Sequence, residues 1–352
     1  MDRPTIAIYE GNVDHYETHR PPIHHDRARR FAALRLADLP VLDAGCGPGG
    51  YLPHLPRPVV ALDAAASMVE RARVVAPDAA AVQGDLAALP FKAAAFGGAW
   101  ARNSYVHVPS TMLPMALRDL HRTVAVGAPV VASFVPGEGD GTIANDDLPG
   151  RFFARWSTDR LNDVFVGAGF TDVVVDGEQP LFVNSSRART LADTVGIDMR
   201  VLVCGLNPSV ISADIGYGFA SPSNRFWKAA MASGLVSAER EPGRALSVDG
   251  IGMTDIVKRA TPRSSEISAD EYRRGADRVR RLVEWLQPGA ICFIGLEGWR
   301  VAVNRNARAG WQSDGFGGRP AYVMPSTSGL NASARLADLV EHLVAAQAPP
   351  ES

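Results

Sequence analysis

Three acidic residues and a run of glycines in the first third of the chain have the types and spacing of a nucleotide-like ligand site. The segment DAGCGPG at residues 43–49 follows a short apolar run, and its glycines let the backbone turn sharply and approach a ligand without a Cβ in the way. An acid at the end of the next strand can accept hydrogen bonds from a ribose diol. The predicted cofactor-binding residues are Asp43, Gly45, Gly47, Gly49, Asp63 and Asp85.

A second set of residues could hold a water molecule and a flat ring. Asn207 comes where a buried strand ends, at the carboxyl edge of a predicted parallel sheet, where ligands of α/β proteins bind. Its amide can hold a water but cannot remove a proton from it. Phe219 offers an aromatic face for stacking, and Leu330 is an apolar tip on a loop of small residues. With no carboxylate beside Asn207, this combination predicts catalysis by positioning.

Two strand–turn units of the α/β type must position these residues. One starts at residue 41 and the other at residue 201, each as a short apolar run that breaks into a polar or glycine-rich turn. Their separation predicts two α/β domains, residues 1–190 and 191–352. A polar stretch without periodicity predicts a linker at about residues 184–198.

Length and composition agree with two globular domains. The chain has 352 residues, of which 46% are hydrophobic and 21% charged, so a largely disordered chain is excluded. The net charge of −2 argues against a polybasic nucleic-acid coat; residues 1–190 carry −3 and the rest +1. The three cysteines lie far apart, which disfavours a zinc or iron–sulfur site and fits a reducing cytoplasm. Because the chain has no long apolar run, we expect no membrane span. We also expect a cytoplasmic monomer that binds no metal.

The first half resembles the class I S-adenosylmethionine-dependent methyltransferases, particularly the small-molecule type 11 group. Besides residues 43–49, the resemblance rests on LPF at 89–91, SYVHVP at 104–109 and GAGF at 167–170, and it covers about residues 1–183. It implies a Rossmann-like sheet that binds S-adenosylmethionine. Asp43 and the glycines would surround the methionine part, Asp63 would take the ribose hydroxyls, and Asp85 the adenine amine. The methyl acceptor stays open.

Several alternatives stay open for this half. A Rossmann-like domain could bind NAD or nothing, although the glycine spacing differs from G-x-G-x-x-G. A methyltransferase fold could also be a catalytically inactive module that binds a partner. His107 is either a base or a packed residue.

The second half resembles the mismatch-specific uracil/thymine DNA glycosylases, the Mug/TDG family of the uracil-DNA glycosylase superfamily. The segments GLNPS at residues 205–209, NRFWK at 224–228 and PSTSGL at 325–330 carry the resemblance, supported by GMTDIV at 252–257. It covers about residues 199–342. It implies an α/β/α sandwich with a central parallel sheet and double-stranded DNA with a G:U or G:T mismatch as the partner.

This resemblance also implies roles for individual residues. Asn207 would position the attacking water, and Leu330 would fill the hole left when the target base is flipped out of the duplex. The expected base-binding residues are Phe219, Ser212, Gly205 and Ser326, and the expected wedge and opposite-strand residues are Ser328, Gly329, Leu330 and Asn331. No cofactor is implied for this half. In the structural alternative, Asn207 caps a turn while Phe219 and Leu330 belong to the core.

Charged residues near these motifs bear on DNA contact. Asp255 stands where other members of the family carry Lys or Asn, and a negative charge near DNA would weaken phosphate contact. Arg225 or Lys228 is expected to touch phosphate. The arginine-rich helix predicted at residues 272–281 is either a solvated face or a DNA surface.

We therefore expect a fusion of a methyltransferase-like domain with a glycosylase that excises uracil opposite guanine, with thymine as an open second substrate. The alternative is an S-adenosylmethionine-dependent methyltransferase, acting on a small molecule or a nucleic acid, whose second domain binds DNA but is catalytically weak.

Overall fold

The fold is described from a computed structural model that covers residues 2–20 and 23–350. Contacts divide the chain into two compact units, Met1–Ala188 and Arg189–Ser352. Among the described residues, no helix combines the length and the apolar character needed to cross a bilayer.

In the described part of the first unit, three helices come before the first strand and three more lie between later strands. In chain order its elements are α1 (Arg3–Glu10), α2 (Val13–His19), α3 (His25–Leu34), β1 (Val41–Ala44), β2 (Val59–Asp63), α4 (Ala66–Val75), β3 (Ala80–Gln83), β4 (Gly98–Ala101), α5 (Leu113–Thr123), β5 (Pro129–Pro136), β6 (Asp140–Thr142), β7 (Phe152–Trp156), α6 (Thr158–Gly167), β8 (Phe170–Asp176) and β9 (Leu181–Arg187).

Strand β1 lies inside the sheet of the first unit. It pairs in parallel with β2 and β4, while β2 pairs with β3 and β4 with β5. Beyond β5, strand β9 runs antiparallel to β5, and β8 runs antiparallel to β9. Every residue of β1 is buried, as expected for a strand covered on both faces. The parallel order β3-β2-β1-β4-β5 brings the carboxyl ends of these strands to one edge, where the glycine turn follows β1.

The second unit also alternates strands and helices. Its elements are β10 (Val201–Gly205), α7 (Val210–Ile215), α8 (Phe226–Ala232), α9 (Pro242–Ser247), β11 (Ile251–Asp255), α10 (Ala269–Leu286), β12 (Ala290–Ile294), α11 (Leu296–Ala302), β13 (Gly310–Phe316), β14 (Arg319–Met324) and α12 (Leu336–Ala345). The strand order is β11-β10-β12-β14-β13, with all neighbours parallel except β13 and β14.

The two faces of the second sheet pack on different helices. Leu202 and Cys204 of β10 lie in one buried cluster with residues of α10, whereas Val201 and Val203 lie in another with residues of α8 and α12. This alternation follows from the two-residue period of a strand. Helices therefore cover both faces, and the predicted α/β fold with two sheets is confirmed.

The segment predicted as a linker, residues 184–198, contains the division between the two units after Ala188, but it is more ordered than a linker. Strand β9 continues to Arg187, because its backbone pairs with both β5 and β8. Further along, Val195 is fully buried, and the buried carboxylate of Asp193 forms ion pairs with Lys258 at 2.7 Å and Arg278 at 2.8 Å. A polar stretch can thus lie inside the fold when its charges find partners.

Candidate functional site

The turn after β1 requires glycine. Gly45 has a φ of +77°, and a Cβ added there would lie 2.1 Å from the Cβ of Ser104. A side chain at this position would force the backbone to move. The amide of Gly47 donates a hydrogen bond to the carboxylate of Asp63 at 2.9 Å, which holds the turn against the end of β2.

The three predicted acids of the first unit have different surroundings. Asp43 is buried, and its Oδ2 has no hydrogen-bond partner in the described part of the chain. Burial, with a smaller contribution from the charge of Asp63, raises the pKa of Asp43 to about 8. Asp63 also accepts from the amide of Ala65 at 3.0 Å, and Asp85 accepts from the amide of Ala87 at 2.8 Å. Asp43 is thus the acid that offers a buried, unsatisfied oxygen.

Two cavities lie at this edge of the sheet. The first has a volume of about 310 Å³, and its lining includes Tyr16, Asp43, Gly45, Gly47, Tyr51 and Arg102. The lining of the second includes Gly45, Gly47, Asp63, Met68, Leu86 and Arg102. The structure therefore brings four predicted residues to one cleft, whereas Gly49 and Asp85 line neither cavity.

His107 is engaged on both sides of its ring. Its Nδ1 lies 2.6 Å from the carbonyl of Phe152, which can only accept, so Nδ1 carries the proton. Its Nε2 then accepts from the hydroxyl of Tyr9 at 2.8 Å, and that hydroxyl accepts from Arg151 at 2.8 Å. Burial lowers the pKa of His107 to about 4. Of the two alternatives for His107, the structure favours the packed residue.

Asn207, just after β10, has a fixed amide orientation. Its Nδ2 donates to the carbonyl of Arg259 at 3.0 Å and to the hydroxyl of Thr261 at 2.8 Å. The carbonyl can only accept, and Thr261 donates its own proton to the carbonyl of Arg263 at 2.8 Å. Both partners therefore require the amide nitrogen at this point. The amide oxygen of Asn207 is left to accept a hydrogen bond from a water.

Phe219 is supported as an aromatic platform. Its ring stacks on Phe226, with centroids 4.1 Å apart and planes inclined by 24°. The residue has a φ of +59°, a strained conformation that non-glycine residues adopt where the surroundings impose it. The ring is half-buried and lines a small cavity together with Tyr217, Thr254 and Asp255. A ring held in this way is suited to stacking on a planar ligand.

Asp255 lies inside the second unit. It pairs with Gly205 across β10 and β11, and a Cβ added to Gly205 would lie 2.3 Å from its Oδ1 and 3.6 Å from the ring of Phe219. Burial raises the pKa of Asp255 to about 6, although the charge of Lys258 opposes this. The carboxylate of Asp255 is buried beside the platform ring, and its effect on contact with DNA phosphates stays a prediction.

Ser212 supports the segment that carries the platform. It is buried in α7, its hydroxyl lies 3.0 Å from that of Ser209, and it accepts from the amide of Ala220 at 3.3 Å. Ser209 in turn caps α7 by accepting from the amide of Ser212 at 3.1 Å. The polar turn after Asn207 is thereby tied to the residue that follows Phe219.

The loop after β14 carries the predicted opposite-strand residues. Leu330 at its tip is 94% exposed, so it is not a core residue. Arg225 donates to the carbonyls of Ser328 at 2.9 Å and Asn331 at 2.8 Å, and the side chain of Asn331 donates to the carbonyl of Ser326 at 2.8 Å. Arg225 therefore braces this loop, and of the two residues predicted to touch phosphate, Lys228 is the exposed one.

Two consecutive residues connect the platform with this loop. Phe226 supports the ring of Phe219, and the preceding Arg225 holds the loop. Gly329 approaches Ser223 so closely that an added Cβ would lie 2.6 Å from the serine Cβ. The segment at residues 223–226 is thus shared by both features.

Helix α10 turns one of its arginines inward. Arg278 is buried, and it donates to Asp193 at 2.8 Å and to the hydroxyl of Thr254 at 3.0 Å. Arg273 instead pairs with Asp270 on an exposed side of the helix. Neither alternative for the arginine-rich helix therefore holds along its whole length.

Two family models match the chain, one in each unit. The model described as methyltransferase domain matches residues 41–127, which include the glycine turn and Asp63. The model described as uracil DNA glycosylase superfamily matches residues 192–346, which include Asn207, Phe219 and the loop of Leu330. The chain joins a methyltransferase domain to a uracil DNA glycosylase superfamily domain.

Several solved structures that resemble about half of the chain are described as methyltransferases. A SAM-dependent methyltransferase from Methanosarcina mazei is 13% identical, with 44% of this chain and 95% of that one covered and a TM-score of 0.40. The DhpI–SAH complex is 20% identical, with 53% and 99% covered and a TM-score of 0.41. A possible histamine N-methyltransferase from Thermotoga maritima is 18% identical, with 52% and 99% covered and a TM-score of 0.39.

Some residues of these sites were not predicted from the sequence to belong to them. Arg102 directly follows β4, which pairs with β1, and a charged residue at that strand end is a signal that could have found it. Thr261 lies in an irregular segment far from Asn207 in sequence, and no local pattern marks it. Asp255 is recognisable as a polar residue at a strand end, but its burial beside Phe219 depends on the fold.

Proposed function

We propose that the glycosylase-superfamily domain excises uracil opposite guanine from double-stranded DNA, with thymine as a second substrate, and leaves an abasic site. The observation that carries this proposal is the fixed amide of Asn207. Because Thr261 and Arg259 hold its nitrogen, its oxygen is available to orient a water.

In this reaction the water oxygen bonds to C1′ as the C1′–N1 bond breaks. The base leaves with the electron pair, and the water loses a proton to solvent. Asn207 cannot take that proton, so it acts by orienting the water, and the rate depends on how well the leaving base is stabilised. The flipped base would stack on Phe219, between the backbone at Gly205 and the loop at Ser326, with Ser212 nearby. We expect slow turnover, because no general base adjoins Asn207.

Leu330 and its neighbours complete the proposal. An exposed leucine on a braced loop can enter the duplex where the base has left, while the backbone of residues 328–331 faces the opposite guanine. Unstacking a base costs a few kcal/mol, least for a mismatched one, which favours G:U and G:T pairs over A:U.

The test is an abasic-site cleavage assay with the full chain on G:U, G:T and A:U duplexes and on single-stranded uracil DNA. We expect excision from G:U, and a loss of about 100-fold in Asn207→Ala. Undiminished excision by that variant would refute the role of Asn207. A wild-type chain that binds the duplex but excises nothing would instead support the alternative of a methyltransferase with a DNA-binding second domain.

For the methyltransferase domain we infer that S-adenosylmethionine is the methyl donor. The unsatisfied oxygen of Asp43 fits an ammonium group, and Asp63 beside Gly47 fits ribose hydroxyls. When bound, the cofactor supplies an electrophilic methyl group, and the residues of this cleft bind and orient it. Asp85 and Gly49 would contribute through the turns that they shape.

Calorimetric titration with S-adenosylhomocysteine tests this inference. We expect binding by the full chain and weaker binding by Asp63→Ala. If the wild-type chain gives no heat of binding and no shift in melting temperature, the domain is a scaffold and not a methyltransferase.

A further inference from the structure

The side chain of Asp255 carries a buried carboxylate that forms no hydrogen bond with the residues that the structure describes. It lines the small cavity of the second unit together with Phe219. Its Oδ1 occupies the space that a Cβ on Gly205 would need, and this point lies 3.6 Å from the Phe219 ring. Buried polar groups are normally satisfied, so this carboxylate indicates a ligand that meets it beside the ring.

The two cations near Asp255 are bound to another carboxylate. Asp193 accepts hydrogen bonds from Lys258 at 2.7 Å and from Arg278 at 2.8 Å. The hydroxyl of Thr254 also donates to Asp193, at 2.7 Å. Arg278 does reach Asp255, but it donates to the backbone carbonyl at 2.9 Å. The side chain of Asp255 is therefore left for a ligand.

The groups around Asp255 allow both of its protonation states. Burial raises its pKa to about 6, while the two cations oppose this shift and the charge of Asp193 adds to it. On β10, Cys204 stays neutral, because burial raises the pKa of its thiol well above the usual range. Tyr217, the other titratable residue in the described lining of the cavity, contributes a phenol. The carboxyl can thus be protonated in mildly acidic solution.

The two protonation states suit different base edges. An ionised carboxylate only accepts hydrogen bonds, so it can take the N3–H of uracil. A protonated carboxyl has a donor beside an acceptor. Cytosine presents the complementary pair, because its N3 accepts and its neighbouring C4 amine donates. The protonated form of Asp255 can therefore make two hydrogen bonds to cytosine.

We propose that the second unit also excises unpaired cytosine, with Asp255 as the acid that protonates N3 of the leaving base. This inference rests on the base site proposed above, and it adds a class of substrate: pyrimidines with an amine at C4 and no proton on N3. Cytosine paired with guanine is excluded by the cost of breaking that pair.

Proton transfer makes cytosine a better leaving group. As the C1′–N1 bond breaks, its electron pair goes to N1 and the carboxyl proton goes to N3, so the base leaves as a neutral molecule and not as an anion. The water oriented by Asn207 bonds to C1′ and loses a proton to solvent. The carboxylate of Asp255 then regains a proton from solvent.

The test uses two duplexes that differ in one base, cytosine or uracil, placed opposite a stable abasic-site analogue. Single-turnover excision by the full chain is measured from pH 5 to pH 8. Cytosine excision should rise roughly 100-fold from pH 8 to pH 5, as the protonated fraction of a group with a pKa of about 6 does. Uracil excision should fall over the same range. Opposite trends cannot come from DNA binding or folding, since these act on both substrates.

Two matched variants isolate the acidic proton. Asp255→Asn keeps the size of the side chain but has no proton to transfer, so at pH 5 it should excise cytosine about 100-fold more slowly, without the rise toward low pH. Asp314→Asn makes the same change at an exposed residue of β13 and should leave both profiles unchanged. Melting curves check that each variant is folded.

The other outcomes overturn the inference. Cytosine excision that falls together with uracil excision, or that persists in Asp255→Asn, would mean that the carboxyl does not protonate the base. Excision of uracil without excision of cytosine at any of these pH values removes this inference alone, whereas excision of neither base removes the proposed function as well. Adenine carries the same two groups on a larger base, and its excision from such a duplex as fast as cytosine would refute a pyrimidine site.

Discussion

The side-chain nitrogen of Asn207 lies 2.8 Å from the hydroxyl of Thr261, and that hydroxyl donates onward to the carbonyl of Arg263. The chain of donors leaves no choice for the amide of Asn207: its nitrogen faces Thr261, and its oxygen faces away. A residue 54 positions along the chain thus sets the orientation of the proposed water-binding oxygen.

Thr261→Val removes this hydroxyl at nearly constant volume. We expect G:U excision to slow about fivefold, as for the loss of about 1 kcal/mol of hydrogen bonding, because the amide of Asn207 is then held less firmly, by backbone carbonyls alone. Thr261→Ser keeps the hydroxyl and should retain the rate. Single-turnover excision measures both, and an equal loss in the two variants would contradict an orienting role for the hydroxyl.

Asp255→Asn tests the buried carboxylate beside Phe219. With its pKa raised to about 6, the group is mostly ionised at pH 8 and mostly protonated at pH 5. An ionised carboxylate can only accept, and N3–H of uracil or thymine is a donor that could satisfy it. We therefore expect wild-type excision to fall as pH drops through about 6, and Asp255→Asn to be about tenfold slower at pH 8 with a flatter pH profile.

The control for this experiment is Asp277→Asn, which removes an exposed carboxylate of α10. It should leave both the rate and the pH profile unchanged. If Asp255→Asn keeps the wild-type profile, the carboxylate does not meet the base.

Leu330→Ala tests the wedge. Because Leu330 is 94% exposed, its truncation should leave the melting temperature unchanged. We expect excision from G:U duplexes to fall at least tenfold, while excision from single-stranded DNA, where no hole needs filling, changes little. Val344→Ala truncates another exposed apolar residue, 52% accessible on α12, and should affect neither substrate. Equal losses on duplex and single strand would rule out the wedge.

Asp43→Asn tests how much the buried carboxyl of Asp43 lowers the stability of the methyltransferase domain. The folded protein holds the proton of Asp43 up to a pKa of about 8, whereas the unfolded chain releases it near 4. The folded state therefore binds more protons between these values, and the contribution of Asp43 to stability falls as pH rises from about 4 to about 8. At pH 8 the ligand-free wild type should be less stable than Asp43→Asn, by on the order of a few kcal/mol.

Calorimetric melting of both proteins from pH 4 to pH 8 measures this difference. It should grow with pH and vanish near pH 4, and Asp26→Asn, at an 83% exposed carboxylate, should show no such growth. A difference independent of pH would mean that Asp43 does not titrate over this range. Asp43→Asn should also lose affinity for S-adenosylhomocysteine, since the asparagine amide lacks the negative charge for the ammonium.

Local patterns in the sequence determined much of the fold. Short apolar runs ending in glycine or polar turns place β1 and β10, and the predicted α/β class holds in both units. The glycines at residues 45 and 47 were identifiable because a turn that approaches a ligand cannot carry a Cβ. Asn207 was identifiable because a polar residue directly after a buried strand lies at the binding edge of a parallel sheet.

Only the tertiary structure decided which polar side chains are buried and what they face. Aspartates usually lie on the surface, yet Asp193 and Asp255 are both buried. Asp193 pairs with Lys258 and Arg278, and Asp255 lies beside Phe219. Arg225 was one of two residues predicted to contact phosphate, but its guanidinium donates hydrogen bonds to the carbonyls of Ser328 and Asn331, about 100 residues away. Burial of a charge depends on partners distant in sequence, and a local pattern carries no information about them. The sequence alone therefore determined which polar residues follow the buried strands and lie at the binding edge. The tertiary structure determined which partners these and other polar side chains contact.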